Sequence, residues 1–230
     1  MRYWCEDSAV LTHYYNAGSL LFPEWETLFC KVMQAHRDEV TDTKLLKDID
    51  NFIDQETNHA TAHSNFNKII DRPDVEAVQK SLVRVLSKRT HSTYILGAMV
   101  SIEHIASSLG RDFIDRYSDH TDSEHSLFLW HAKEEISHKD VAFRLWEYLG
   151  KDHKQLRKIA LVNFKTVNVF VLKYVWDSCK RDKLLAKPST WIDFARLSYR
   201  LITSLVIPYA LIFRASFDPA AIDDTKYENN

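Results

Sequence analysis

Four stretches of this chain carry residues that could hold two metal ions, and they come in a repeated order. Glu26 stands alone, followed by the Glu-x-x-His pair Glu56 and His59; Glu103 stands alone, followed by a second such pair, Glu135 and His138. Four carboxylates and two imidazoles suit two ions in the divalent or trivalent state. Hard oxygen donors bridge and neutralise the ions, and one neutral imidazole per ion leaves positions open for water, oxygen or substrate. Carboxylate with imidazole favours iron, with manganese or zinc as alternatives. Two ions held roughly 3.5–4 Å apart can also activate a hydroxide. The donor set alone therefore does not separate oxidation from hydrolysis.

Counted as bare motifs the pairs carry little weight, since composition alone gives about 0.6 Glu-x-x-His matches by chance. The elements that position them carry more. Only four Gly and five Pro occur in 230 residues, which argues for long helices and few tight turns. Six helical stretches are expected: Pro23–Val40, Thr43–Ile70, Asp74–Arg116 with an interruption near 89–93, Ser123–Leu149 stopped by Gly150, His153–Asp182, and Thr190–Ser216 with a kink at Pro208. Pro23 suits an opening turn, where its missing N–H is unpaired anyway. If the first two stretches form a hairpin turning near Thr41-Asp42, Glu26 and Glu56 each lie about 15 residues from the turn and come level, roughly 22 Å along their helices. If the next two turn near Asp119, Glu103 and Glu135 come level in the same way.

The faces agree with the heights. Glu56, His59 and His63 share one stripe at i, i+3 and i+7, and His131, Glu135 and His138 share another at i, i+4 and i+7. His131 and His63 are thus candidate seventh ligands; the alternative is that they support the ligands from behind. Glu134 points about 100° away from Glu135 and reads as a surface or supporting residue. Glu24 and Glu26 are not separated by height. His104 is rotated off the face of Glu103. His13, His36, His91, His120, His125 and His153 read as surface or loop residues.

Other features bound the reading. A net charge of −2 leaves no nucleic-acid footprint. Cys5, Cys30 and Cys179 have no paired spacing and read as free thiols in a reducing compartment. The first seven residues lack the apolar core of a secretory signal, and Tyr3 and Trp4 read as exposed. The expected location is cytoplasmic, with the periphery of the inner membrane as an alternative. One domain is expected over 1–230, with a metal-binding bundle at 22–150 and a helical extension at 151–217 packing on it. That extension is strongly apolar. Its run from Leu201 to Phe213 falls short of the ~20 residues that span a bilayer. Two helices closing one side of the site is the first reading; a lipid-facing surface is the second.

The ligand order, one Glu from each of two helices and one Glu-x-x-His from each of two others, is that of ferritin-like di-iron and di-manganese bundles. The expected fold is therefore all-α: a ferritin-like four-helix bundle with a long connection between helices two and three, plus two C-terminal helices. Phe22-Pro23-Glu24-Trp25-Glu26, Gln55-Glu56-Thr57-Asn58-His59, Ile102-Glu103-His104 and the run Trp130–Lys139 resemble the bacterial proteins named predicted metal-dependent hydrolases, over most of the chain to about Pro219. The resemblance favours Glu26 over Glu24. Trp25 and Asp218 depart from the family's usual Gly and His. The His131, Glu135, His138 run is similar, locally, to di-iron arylamine N-oxygenases, where three histidines serve the metals.

The function expected is a dinuclear metal enzyme, di-iron first, activating oxygen to oxidise or oxygenate a small, apolar molecule. The alternatives are a hydrolase using a metal-bound hydroxide and a non-enzymatic iron-binding protein, with a metal-free structural bundle last. An oxygenase would need an external electron donor. Peripheral membrane contact and a homodimer are further candidate associations.

Overall fold

The computed structural model describes residues 3–228, and no strand occurs among them. The main helices are α1 (Ala9–His36), α2 (Thr43–Ile70), α3 (Pro73–Leu86), α4 (Thr93–Tyr117), α5 (Ser123–His138), α6 (Val141–Tyr148), α7 (His153–Arg181) and α8 (Pro188–Leu201). α1 pairs along α2 and α4 along α5; α1 touches α4, and α2 touches α5. α7 lies across α1 and α4. Short chain reversals join each hairpin, and Asp42 and Asp122 cap the helices that follow by accepting from backbone N–H groups. The expected hairpins turn where their spacing places them.

The first helix departs from its expected start. It begins at Ala9, with the Ser8 hydroxyl accepting from the Leu11 N–H, and runs straight through Pro23. A proline inside a helix frees the carbonyl four residues earlier, here that of Ser19. The Asn67 amide of α2 donates to that carbonyl at 2.9 Å, and the Ser19 hydroxyl donates to the Asn67 side-chain oxygen at 2.7 Å. A side chain from the neighbouring helix thus replaces the hydrogen bond that Pro23 removes. Asn67→Leu is expected to leave the Ser19 groups unpaired in a dry site and to cost about 1–3 kcal/mol. The readout is a lower denaturant midpoint at unchanged slope; an unchanged midpoint would contradict the repair.

The long third stretch is interrupted as expected, into α3 and α4 on either side of a 3-10 turn at Ser87–Arg89. α3 packs on α1, where the Trp25 indole donates to the Gln79 side chain at 3.0 Å. Two other boundaries differ from expectation. The fourth stretch breaks after His138, with Lys139 drawn to the carbonyl of Ile222 at 2.8 Å and to Asp224. No Gly or Pro marks this break. The last stretch passes through a π-turn at Ile202–Val206 ahead of Pro208, and the Pro208 carbonyl accepts from His104 at 3.1 Å. Gly150 does stop α6, at φ 63°.

Burial corrects several single-residue expectations. Trp4 is buried, stacked on Phe128 at 5.2 Å, with its indole donating to Asn16. His13, His36 and His125 are buried as well. Two glycines set close approaches. At Gly97 a Cβ would lie 2.8 Å from Ile159, so α7 can press on α4. At Gly110 a Cβ would lie 3.1 Å from the Ala132 carbonyl, which lets α5 approach α4 beside His131.

Candidate metal centre

Helices α1, α2, α4 and α5 deliver Glu26, Glu56, His59, His63, Glu103, His131, Glu135 and His138 to one place, and none of these residues is more than 5% exposed. Two overlapping groups form. Glu26, His59, His131 and Glu135 present donor atoms within 4.8 Å of one another, as do Glu56, His59, Glu135 and His138. His59 and Glu135 belong to both. Glu103 belongs to neither; its carboxylate lies 3.2 Å from His138 Nδ1. It reaches the centre through that imidazole.

The hydrogen bonds behind the imidazoles decide which nitrogen faces the centre. The Asn67 amide must donate to the Ser19 carbonyl, so its oxygen takes the Ser19 hydroxyl proton. The Ser19 oxygen then accepts from His63 Nδ1 at 2.8 Å. His63 Nε2, left without a proton, accepts from His131 Nδ1 at 2.7 Å. His131 Nε2 therefore carries a lone pair, pointed at Glu135 at 2.7 Å and Glu26 at 3.6 Å. Both nitrogens of His63 are used in this relay, which makes it a support for His131. His59 donates from Nε2 to Glu134 at 2.9 Å, and Glu134 also accepts from the Trp130 indole. That leaves the lone pair of His59 Nδ1 for the centre. His138 donates from Nδ1 to Glu103, leaving Nε2 free 3.2 Å from Glu56. Holding an imidazole from behind through its other nitrogen is how proteins orient metal ligands.

Most of the atoms facing inward are left without partners. Both oxygens of Glu26, Oε1 of Glu56, Oε2 of Glu135, Nδ1 of His59 and Nε2 of His138 are buried and make no hydrogen bond. Each such orphan costs about 1–3 kcal/mol in a dry interior. Lone pairs of carboxylates and neutral imidazoles that converge on each other repel unless a positive charge lies among them. This donor set fits metal ions of the iron, manganese or zinc type.

Titration agrees with the geometry. Burial, then the neighbouring carboxylates, pushes Glu26 and Glu56 well above the usual carboxylate range; burial and then Glu135 do the same to Glu103. Burial lowers His59, and burial with neighbouring imidazoles holds His63 and His131 well below the usual histidine value. Without metal, the folded chain keeps carboxyl protons that the unfolded chain loses above about 4.5, so those groups make stability fall as pH rises. The imidazoles act oppositely but only below about 6.5, where the unfolded chain takes up protons. Above that value the carboxyl effect remains alone. The chelated protein should therefore melt at a lower temperature near pH 8 than near pH 6.5 by calorimetry, while metal-loaded protein should not, because metal replaces the protons. Parallel curves for the two forms would contradict this.

An apolar cavity of about 240 Å³ opens onto the centre, with Glu26, Glu56, Glu103, His131 and Glu135 on its wall. Phe22, Phe29, Ile105, Phe113, Val167 and Phe170 supply much of the rest. A third His/Glu group, His36, Glu39 and His91, lies apart; a 2.6 Å hydrogen bond between His36 and Glu39 accounts for it.

Two residues that build the site, Ser19 and Asn67, escaped the sequence reading. Their signal was available: Pro23 lies four residues after Ser19 and needs a foreign donor for the carbonyl it frees. No curated protein and no solved structure matches the chain. The model of the family described as predicted metal-dependent hydrolases matches residues 1–223, and the chain belongs to that family.

Proposed function

We propose that this chain is a dinuclear metal enzyme acting on a small, apolar substrate, built on a ferritin-like arrangement of α1, α2, α4 and α5. The observation that carries the proposal is the convergence of unpartnered, buried donor atoms in two groups. Glu26 and His131 would serve one ion, Glu56 and His138 the other, with Glu135 and His59 at their junction. Glu103 and Glu134 orient His138 and His59, and the Ser19–His63 relay orients His131. Bound metal would supply Lewis acidity or electrons at the inner end of the cavity.

Two reactions fit, and each has an observation behind it. The geometry favours oxygen-dependent oxidation. Three ligand carboxylates, with Glu103 one imidazole behind them, offset much of the charge of two divalent ions and so weaken their pull on a substrate carbonyl, while stabilising higher oxidation states. The cavity wall offers little to hold a polar ester, amide or phosphate. The family's description favours hydrolysis, in which the same centre would activate water. The chain's own contribution is the same in both: the aromatic and aliphatic wall excludes bulk water, and the imidazole supports keep lone pairs directed inward.

The test is metal-dependent chemistry on one preparation. Iron-loaded, reduced protein mixed with oxygen should consume it and change its visible absorption. Zinc-loaded protein that hydrolyses esters at full rate, with an iron form inert to oxygen, would select hydrolysis. Protein that binds metal and does neither would leave iron handling as its role.

A further inference from the structure

α7 and α8 carry two exposed apolar stripes that nothing among the described residues covers. On α7, Lys158, Val162, Lys165, Val169, Leu172, Trp176 and Lys180 follow one another at helical spacing, and all are exposed. From α8 onward, Ile192, Ala195, Tyr199, Ile202, Val206, Ala210 and Phe213 do the same. Trp176 and Trp191, 44% and 51% exposed, meet at 6.1 Å and join the stripes at one end. At the other end, Arg157 donates to the Phe213 carbonyl.

Charge distinguishes the segment that carries this face from the rest of the chain. Between residues 151 and 216 there are 13 Lys and Arg against 4 Asp and Glu, in a chain with 30 and 32 overall. The segment is thus strongly basic while the remainder is acidic. Lysines interleaved with apolar residues on one stripe can lay their stems along a greasy surface and keep their ammonium groups at its edge. Indoles suit the same boundary.

The segments 153–181 and 188–213 are each long and apolar enough to cross a bilayer by length and composition. The packed side of α7 argues against that use. α7 buries Leu156, Ile159, Ala160, Val171 and Val175 against the rest of the fold. Its Asn163 amide donates to Ser101 on α4 at 3.1 Å. A helix held on one side and apolar with basic residues on the other lies along a membrane surface.

We propose that the α7–α8 face docks on a lipid bilayer rich in anionic headgroups. A second copy of the chain is the less favourable occupant, because a two-fold contact would set the same basic segment against itself. Docking also brings lipid close to the cavity. Thr166 and Phe170 line the cavity beside Lys165 and Val169 of the α7 stripe, and on α3 the exposed Leu82 forms part of the same wall. The docking inference stands independently of which reaction the metal centre performs.

Vesicle flotation of the full chain tests it. Vesicles of phosphatidylcholine with roughly 30% phosphatidylglycerol should carry the protein upward, pure phosphatidylcholine should not, and added salt should release it. Each basic charge removed should weaken binding roughly fivefold, so the double variant K165E/K173E should lose at least ~25-fold. Lys173 follows Val169 by one turn on α7, both side chains are exposed, and unchanged metal content and circular dichroism would confirm that the variant folds. W176S should also weaken binding. Protein that stays at the bottom with both vesicle types overturns the inference, as does equal binding to both. A solution dimer broken by K165E/K173E also overturns it, and assigns the face to a second copy.

Discussion

Glu135→Ala should empty both metal positions at once. Glu135 is the one carboxylate present in both donor groups. One of its oxygens meets His131 at 2.7 Å, and the other is buried without a partner. On the proposed assignment, removing it would take a ligand from each ion and the negative charge between them. Loss of a supporting residue alone typically costs 10–100-fold in metal affinity, so loss of a shared ligand should exceed that and bring activity to background. Glu134→Ala is the control. It removes only the acceptor behind His59 and should cost roughly 10–100-fold while metal still binds at saturation. A misfolding explanation is separable. In chelated protein Glu135→Ala should be no less stable than the parent, because it deletes a buried carboxylate that crowds Glu26, Glu56 and Glu103 with like charge. Equal metal content in Glu135→Ala and the parent would refute the shared-ligand assignment.

The second large effect is expected in the cavity. Ala106 lines it on α4, one turn beyond Glu103. Ala106→Phe places a ring in a space of about 240 Å³. A naphthalene-type fluorescent probe should lose at least tenfold in affinity, about 1.4 kcal/mol, while metal content stays unchanged. Turnover of any apolar substrate should fall with it. If the probe binds equally well to both proteins, the cavity is not the binding site.

The parts of the molecule legible in the sequence were those that depend on one helix or one hairpin. α2 runs from Thr43 to Ile70 as its pattern indicates, because Asp42 caps it and Arg72-Pro73 follows it. Equal spacing from a turn is enough to bring Glu26 level with Glu56 and Glu103 level with Glu135, since each residue adds about 1.5 Å. Contacts between helices were less legible. Pro23 reads locally as a helix start, and only Asn67, 44 positions away in sequence, makes it a helix interior. The break after His138 has no Gly or Pro and is accompanied by contacts from Lys139 to the far C-terminus. Ser19 and Asn67 look like solvated polar residues until α1 and α2 are placed together. His63 has the spacing of a ligand, yet Ser19 on one side and His131 on the other use both of its nitrogens.

The function reading divides along the same line. Residue types and spacing are enough to suggest a metal centre, and the orphaned donor atoms support it. The reaction depends on what enters the cavity and on the redox state of the ions, which residue types alone do not set.

The measurement that bears most directly on the central claim is metal content per chain, by inductively coupled plasma mass spectrometry, in protein purified without an affinity-metal step and then titrated with ferrous iron. A dinuclear site predicts two ions per chain for the parent and none retained by Glu135→Ala. A parent that saturates at one ion, or binds none while fully folded, would contradict it.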